Sequence, residues 1–270
     1  MSYLLLAVVI IPVITILISP LWRRRISGSP KILLLHGLGS KTTGVSTASL
    51  SRFESLLRSV DAAGLTVGSV QESLRDRTRV AITFDDGYDD LMLLEPLLRR
   101  FRIPILVFIP TAYIGKANDW DNFLSAGKRR HLTETQIRQL STLGVQFGSH
   151  GHTHRDVTRM SDAELAEELT VSKRWLEDLT ESAIVDIAFP FGRSNQGVIE
   201  TARKLGYVRQ FASAPLADNS DVVGRIAVSK IDAGISLQAK LSGNALAGIE
   251  VVKGLIISKF SHLTPVVKRG

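Results

Sequence analysis

In KILLLHG, residues 31–37, the chain is apolar without a break from Ile32 to Leu35 and then reaches His36 and Gly37. An uninterrupted apolar run of this length, bounded by turn residues, suits a strand buried on both faces. The pattern returns in VAITF (80–84), PILVFI (104–109), VQFGS (145–149) and IVDIAF (184–189), and again in YVRQFA (207–212) and RIAV (225–228). Between these runs the leucines recur three or four apart on one face, the helical period. The stretches concerned are SLSRFESLLRSVDAAG (49–64), DDLMLLEPLLRRF (89–101), TETQIRQLSTLG (133–144) and SDAELAEELTVSKRWLEDL (161–179). Thr133 with Gln136, and Ser161 with Glu164, stand in capping-box spacing. Strand alternating with helix predicts an α/β protein with a parallel sheet and the helices outside it. Seven candidate strands favour a closed or nearly closed barrel over an open sheet.

The hydropathy of the first segment is of another kind. In MSYLLLAVVIIPVITILISPLW, residues 3–22 carry no charge, and Arg23, Arg24 and Arg25 follow at once. About 20 apolar residues are what a helix needs to cross a bilayer. No basic residue precedes the run and no A-x-A-like site follows it, which argues against a cleaved signal peptide. Pro12 is tolerable inside a transmembrane helix. The expected organisation is therefore a membrane anchor and linker over 1–30, a single domain over 31–243, and a basic amphipathic segment over 244–270. That last segment, apolar with Lys253 and Lys259, either packs across the barrel or lies on an anionic membrane surface.

With the anchor set aside, a chain of 270 residues holds one large α/β unit with a sizeable core. It has no cysteine, which excludes disulfides, thiolate metal sites and a cysteine nucleophile. The net charge of +7 is scattered along the chain and no nucleic-acid motif accompanies it, so no nucleic-acid partner is expected.

In a parallel α/β fold the chemistry gathers at the carboxyl ends of the strands. There the sequence places His36, then Asp85 and Asp86 in AITFDDGYDD (81–90), then His150, His152 and His154 in SHGHTH (149–154). Adjacent carboxylates repel each other, and a cation is the obvious means of offsetting that cost. If the second segment turns helical, His150 and His154 share a face at i and i+4 and His152 points elsewhere. Neutral imidazole is the commonest metal ligand, and carboxylate oxygen accompanies it in hydrolytic sites; donors of these kinds suit Zn²⁺ and also accept other divalent ions.

TFDDG (83–87), SHGHTH and FPFG (189–192) resemble, in order, the first three motifs of the NodB-type polysaccharide deacetylases, carbohydrate esterase family 4. The resemblance covers about residues 31–230 and implies a distorted (β/α) barrel that removes an N- or O-acyl group from a sugar with the help of a metal. It also implies that Asp85 is the general base, that Asp86, His150 and His154 are the metal ligands, and that Pro190, Phe191 and Gly192 lie along the substrate. Leu34 and His36 resemble the family's late L-x-H motif, moved to the first strand as in relatives similar to the poly-N-acetylglucosamine deacetylases. On that resemblance His36 is the acid that protonates the leaving amine; His262 lacks the leucine two before it. YIGKANDWDN (113–122) resembles the substrate-side loop of the same branch, with Trp120 placed to stack on a sugar ring. One departure stands out. Ala188 occupies the position where the family often has the arginine that orients the base, and Arg193 is the nearby substitute.

Two rival readings follow from particular residues. LLLHGLGS (33–40) resembles the oxyanion turn of serine α/β-hydrolases, but the G-x-S-x-G elbow that reading requires is missing from the sequence. Ala188 alternatively suggests a degenerate, membrane-tethered domain that binds glycan without catalysis, against which stand the intact Asp85–Asp86 and His150–His154 pairs. The expected function is hydrolysis of a carbon–nitrogen (amide) bond in an acylated amino-sugar glycan, either a polysaccharide or a lipid-linked glycan. The chain is expected to be a single-pass membrane protein. Flanking arginines tend to stay cytosolic, which places the catalytic domain in the cytosol, whereas the resembled family acts mostly outside the cell.

Overall fold

The computed structural model describes residues 29–38, 49–119, 129–213 and 221–228, together with 237, 238, 240 and 241. Strand β1 (Lys31–Leu35) is followed by α1 (Leu50–Ala62), β2 (Thr66–Val67), α2 (Val70–Arg75) and β3 (Arg79–Phe84). Next come α3 (Glu95–Phe101), β4 (Ile105–Ile109), α4 (Glu134–Thr142), β5 (Gln146–Ser149), α5 (Asp162–Thr180) and β6 (Asp186–Ala188). After these follow α6 (Gln196–Lys204), β7 (Arg209–Ala212), β8 (Val223–Gly224) and β9 (Ile226–Ala227). All seven predicted strands form. Both predicted capping boxes form as well, Thr133 with Gln136 and Ser161 with Glu164.

The sheet has eight strands in its path, in the order β8-β7-β6-β5-β4-β3-β1-β9, where about seven were expected; β2 pairs with β3 off that path. The two additions, β2 and β8, are two residues long, too short for any periodicity to show. All of the pairings are parallel. The path runs almost full circle. Its two ends, β8 and β9, are separated in sequence by Arg225 alone, so one residue carries the chain across the seam of the barrel.

Alternation along the strands sets what faces inward. Leu33, Leu35, Val80, Ile82, Phe84, Ile105, Val107 and Ile109 join the large cluster packed with the outer helices. Their neighbours Ile32, Ala81, Leu106, Phe108 and Phe211 form a second, inner cluster that Val70 of α2 also enters. Both faces of the sheet are thus buried, which is why β1 and β4 read as almost unbroken apolar runs. By the same parity Thr83 and Asp85 belong to the inner face.

Residues 89–101 depart from the single helix expected. They form a 3₁₀ turn, Asp89–Leu94, and then α3, because Pro96 is accommodated only in a first helical turn. Among the described residues no helix is long and apolar enough to cross a membrane. The predicted anchor at 3–22 and the segment 244–270 lie outside the described residues.

Candidate active site

At the carboxyl end of β3 the two neighbouring carboxylates part. Asp85 turns into the barrel and meets Arg225 in a two-pronged ion pair, Nη1 to Oδ1 at 2.6 Å and Nη2 to Oδ2 at 2.8 Å. Arg225 is fully buried. It also donates to the carbonyl of Ala212 and to the Thr83 hydroxyl, and its guanidinium carbon lies 5.2 Å from the Phe108 ring centre. Burial pushes the Asp85 carboxyl up, but the Arg225 guanidinium, with His150 and His36, outweighs this and holds it below the usual carboxylate range. Asp85 is therefore an ionised, oriented carboxylate with little exposed surface. The position expected of Arg193 is filled from elsewhere: Arg193 pairs with Asp156 at 2.6 Å. Arg225, 140 residues from Asp85, makes the contact instead.

Asp86 turns the other way because its backbone is left-handed, with φ 69°. Gly87 continues that turn at φ 56°, where a Cβ would meet Ile109 Cδ1, so the left-handed backbone and the close approach both favour glycine. Strained backbone of this kind in a non-glycine residue is a recurring mark of functional sites. The buried His131 donates through Nδ1 to the Asp86 carbonyl at 2.7 Å.

His150 and His154 converge on Asp86 from the loop after β5. This loop is not helical, contrary to the i, i+4 expectation. His154 is itself left-handed at φ 53°, and that turn folds it back beside His150. The loop is held by Glu168 of α5, which accepts from the Thr153 amide at 2.6 Å and the Thr153 hydroxyl at 2.8 Å. His152 points away as expected, with Nδ1 2.8 Å from the Thr111 hydroxyl and its ring against Trp175.

The Nε2 atoms of His150 and His154 lie 3.5 and 3.4 Å from Asp86 Oδ1. The three donor atoms are within 4.8 Å of one another, on buried residues. Such separations suit donors sharing one ion at bonds of about 2.0–2.2 Å. The hydrogen bonding supports the fit. His150 Nδ1 is 2.7 Å from the Ala188 carbonyl, which can only accept, so Nδ1 carries the proton and Nε2 presents its lone pair. Burial pushes the His150 imidazole down to about 4, so near neutral pH it is uncharged. An uncharged Nε2 lone pair facing a carboxylate oxygen sets acceptor against acceptor, and a cation between them resolves the conflict. Burial also pushes the Asp86 carboxyl up, but His154, His36 and His150 more than reverse this and keep it ionised.

His36 follows β1 directly. The Asp85 amide donates to the Leu35 carbonyl at 2.9 Å, so the β1–β3 register brings His36 alongside Asp85. Its Nδ1 is buried without a hydrogen-bond partner among the described residues. Of the FPFG turn, Pro190 is buried, and Phe191 (φ 59°) sets its ring against His154 at 5.0 Å between centres. A Cβ at Gly192 would come 2.6 Å from the Ser213 hydroxyl oxygen. Trp120 lies outside the described residues. Two residues that complete the site, Arg225 and His131, escaped the sequence reading. Arg225 opens RIAV, whose apolar residues predict only a strand, and His131 belongs to no motif.

Residues 73–209, just over half of the chain, match the family model of the polysaccharide deacetylases. A Bacillus subtilis protein named as a polysaccharide deacetylase, YxkH, is 29% identical over 143 residues, which cover 53% of this chain and 47% of that one. A Staphylococcus aureus poly-β-1,6-N-acetyl-D-glucosamine N-deacetylase is 25% identical over 179 residues, 59% of each chain. The chain thus spans between about half and three-fifths of the length of these relatives. Among solved structures, the Streptococcus pyogenes deacetylase PplD in complex with acetate superposes with a TM-score of 0.65 at 20% identity, covering 78% of this chain and 97% of that one. IcaB from Ammonifex degensii gives 0.64 at 19% identity, covering 78% and 96%. At these identities the likeness is one of fold.

Proposed function

The chain belongs to the polysaccharide deacetylase family, and we propose that it hydrolyses the amide of an N-acylated, in the simplest case N-acetylated, amino sugar within a glycan. The observation that carries this reading is the division of labour at the end of β3, where Asp85 is clamped by Arg225 and Asp86 joins His150 and His154. A divalent cation held by Asp86, His150 and His154, with Zn²⁺ the best match to the donors, would polarise the acyl oxygen and acidify water. Asp85, kept ionised by Arg225, takes the proton of the attacking water. His36 gives a proton to the departing nitrogen as the carbon–nitrogen bond breaks, and the products are the carboxylate and the free amino sugar. Phe191, whose ring meets that of His154, and Gly192 are proposed to border the sugar, and Trp120 to stack on it.

The non-catalytic reading rested on Ala188, and Arg225 removes that motive, since the base has its guanidinium after all. The 3–22 segment is proposed to tether the enzyme to the membrane. With Arg23, Arg24 and Arg25 directly after it, the positive-inside tendency puts the catalytic domain on the cytosolic face, where a lipid-linked acylated amino sugar is the matching substrate. The test of the chemistry is to incubate the protein with an N-acetylglucosamine oligomer and assay acetate and free amine together. Equal release of both supports the reading. Acetate release from O-acetylated sugars alone would reassign the enzyme as an esterase.

A further inference from the structure

The arms between β4 and α4 hold the turn that presents Asp86. Leu132 N donates to the Gly87 carbonyl at 2.8 Å and Asp89 N to the Arg130 carbonyl at 2.9 Å. His131 N in turn donates to the Lys116 carbonyl at 2.9 Å, which ties the two arms to each other. The His131 ring lies between two tyrosines, with centres 4.7 Å from Tyr88 and 5.5 Å from Tyr113. Asn118 Nδ2 fixes the Tyr88 hydroxyl at 2.6 Å. The ring therefore has one orientation, and in it Nδ1–H meets the Asp86 carbonyl at 2.7 Å. That carbonyl belongs to a residue held at φ 69°, a backbone that an aspartate leaves readily when nothing fixes it.

We infer that His131 is a positioning residue for the metal centre, acting through the peptide of Asp86 and not as a ligand. Its N–H holds the left-handed peptide, and the left-handed peptide aims the carboxylate at His150 and His154. The inference rests on the reading of Asp86, His150 and His154 as metal ligands. It differs from the usual support of a metal site, in which the outer group bonds to the ligand's side chain.

The role separates into a donor and a ring, and two variants divide them. His131→Asn keeps an N–H donor near the place of Nδ1 and loses the ring. His131→Phe keeps a ring between the tyrosines and loses the donor. The measurement is Zn²⁺ affinity of the full chain in detergent, by competition with a chromophoric chelator, with each variant's thermal transition recorded to show that it is folded. His131→Phe should weaken Zn²⁺ binding by about 10–100-fold, the scale for lost support around a ligand, while His131→Asn stays near the wild type. Equal affinity in the Phe variant and the wild type, or loss in Asn with retention in Phe, overturns the inference and leaves His131 a packing residue. Asp86→Ala is the control that separates the two levels. If it binds Zn²⁺ as the wild type does, the metal-site reading itself fails; if it alone loses binding, only the role of His131 fails.

Discussion

Arg225 decides how Asp85 behaves. A carboxylate this deeply buried would drift toward the neutral form, and the two-pronged guanidinium contact prevents it. Removing the arginine leaves an unpaired buried charge, which costs about 3–5 kcal/mol. Arg225→Met should lower stability on that scale in denaturant titration and raise the Asp85 carboxyl, so the acid limb of the pH–rate profile moves to higher pH. Arg225→Lys should recover only part of both, because an ammonium cannot contact both oxygens at once. A limb at the wild-type position in Arg225→Met would show that Asp85 is not the base. His36 has a complementary test. His36→Ala should reduce turnover by about 10²-fold or more and change the alkaline limb, with Zn²⁺ affinity retained; the same loss from His262→Ala instead would move the acid to the other end of the chain. At this scale the three residues that the structure groups were marked in the sequence, since Asp86, His150 and His154 sit in short patterned segments, although only the family resemblance chose Asp86 over Asp85. Arg225 was hidden because its meaning lies in a contact with a residue 140 positions away.

At the scale of elements, β1 and β4 were legible as strands because a sheet covered on both faces leaves them almost wholly apolar, whereas β6 and β7 carry the paired Asp186 and Arg209. The short elements were not: α2 has six residues and β2 and β8 have two each, so neither period has room to appear. The SHGHTH loop misled for a different reason. An i, i+4 pair of histidines reads as helix, whereas here a left-handed His154 brings them together. The turn after β3 has a similar dependence on backbone. Gly87→Ala would force a Cβ into Ile109 at a positive φ. It should cost at least about 1–3 kcal/mol, the scale of overpacking, and should weaken Zn²⁺ binding by displacing Asp86. The companion substitution Gly87→Ala with Ile109→Val, which makes room, should recover part of the stability. Full metal affinity in Gly87→Ala would detach the turn from the site.

For the whole molecule, the chain crosses the seam of the barrel at the same residue that pairs with Asp85. Arg225 links β8 to β9 while its side chain spans the interior to Asp85, so the seam and the site share one residue. The buried His150 gives the fold a pH signature. His150 titrates at about 4 when folded, below its ordinary 6.5, so the unfolded chain binds the extra proton between those values. Stability of the metal-free protein should therefore fall as pH drops from about 6.5 to about 4, and His150→Gln should flatten that slope in thermal melts. The membrane side is tested by a reporter fused after Gly270: alkaline phosphatase activity there would place the domain outside and remove the case for a cytosolic lipid-linked substrate. The central claim concerns the cation and the amide together. Its most direct test is acetate release from an N-acetylglucosamine oligomer by the full chain, stripped with a chelator and then resupplied with Zn²⁺, beside Asp85→Asn. The account predicts no release when stripped, recovery on resupply, and at least a roughly 10²-fold deficit in Asp85→Asn at full metal loading; release by the stripped protein at the restored rate would contradict it.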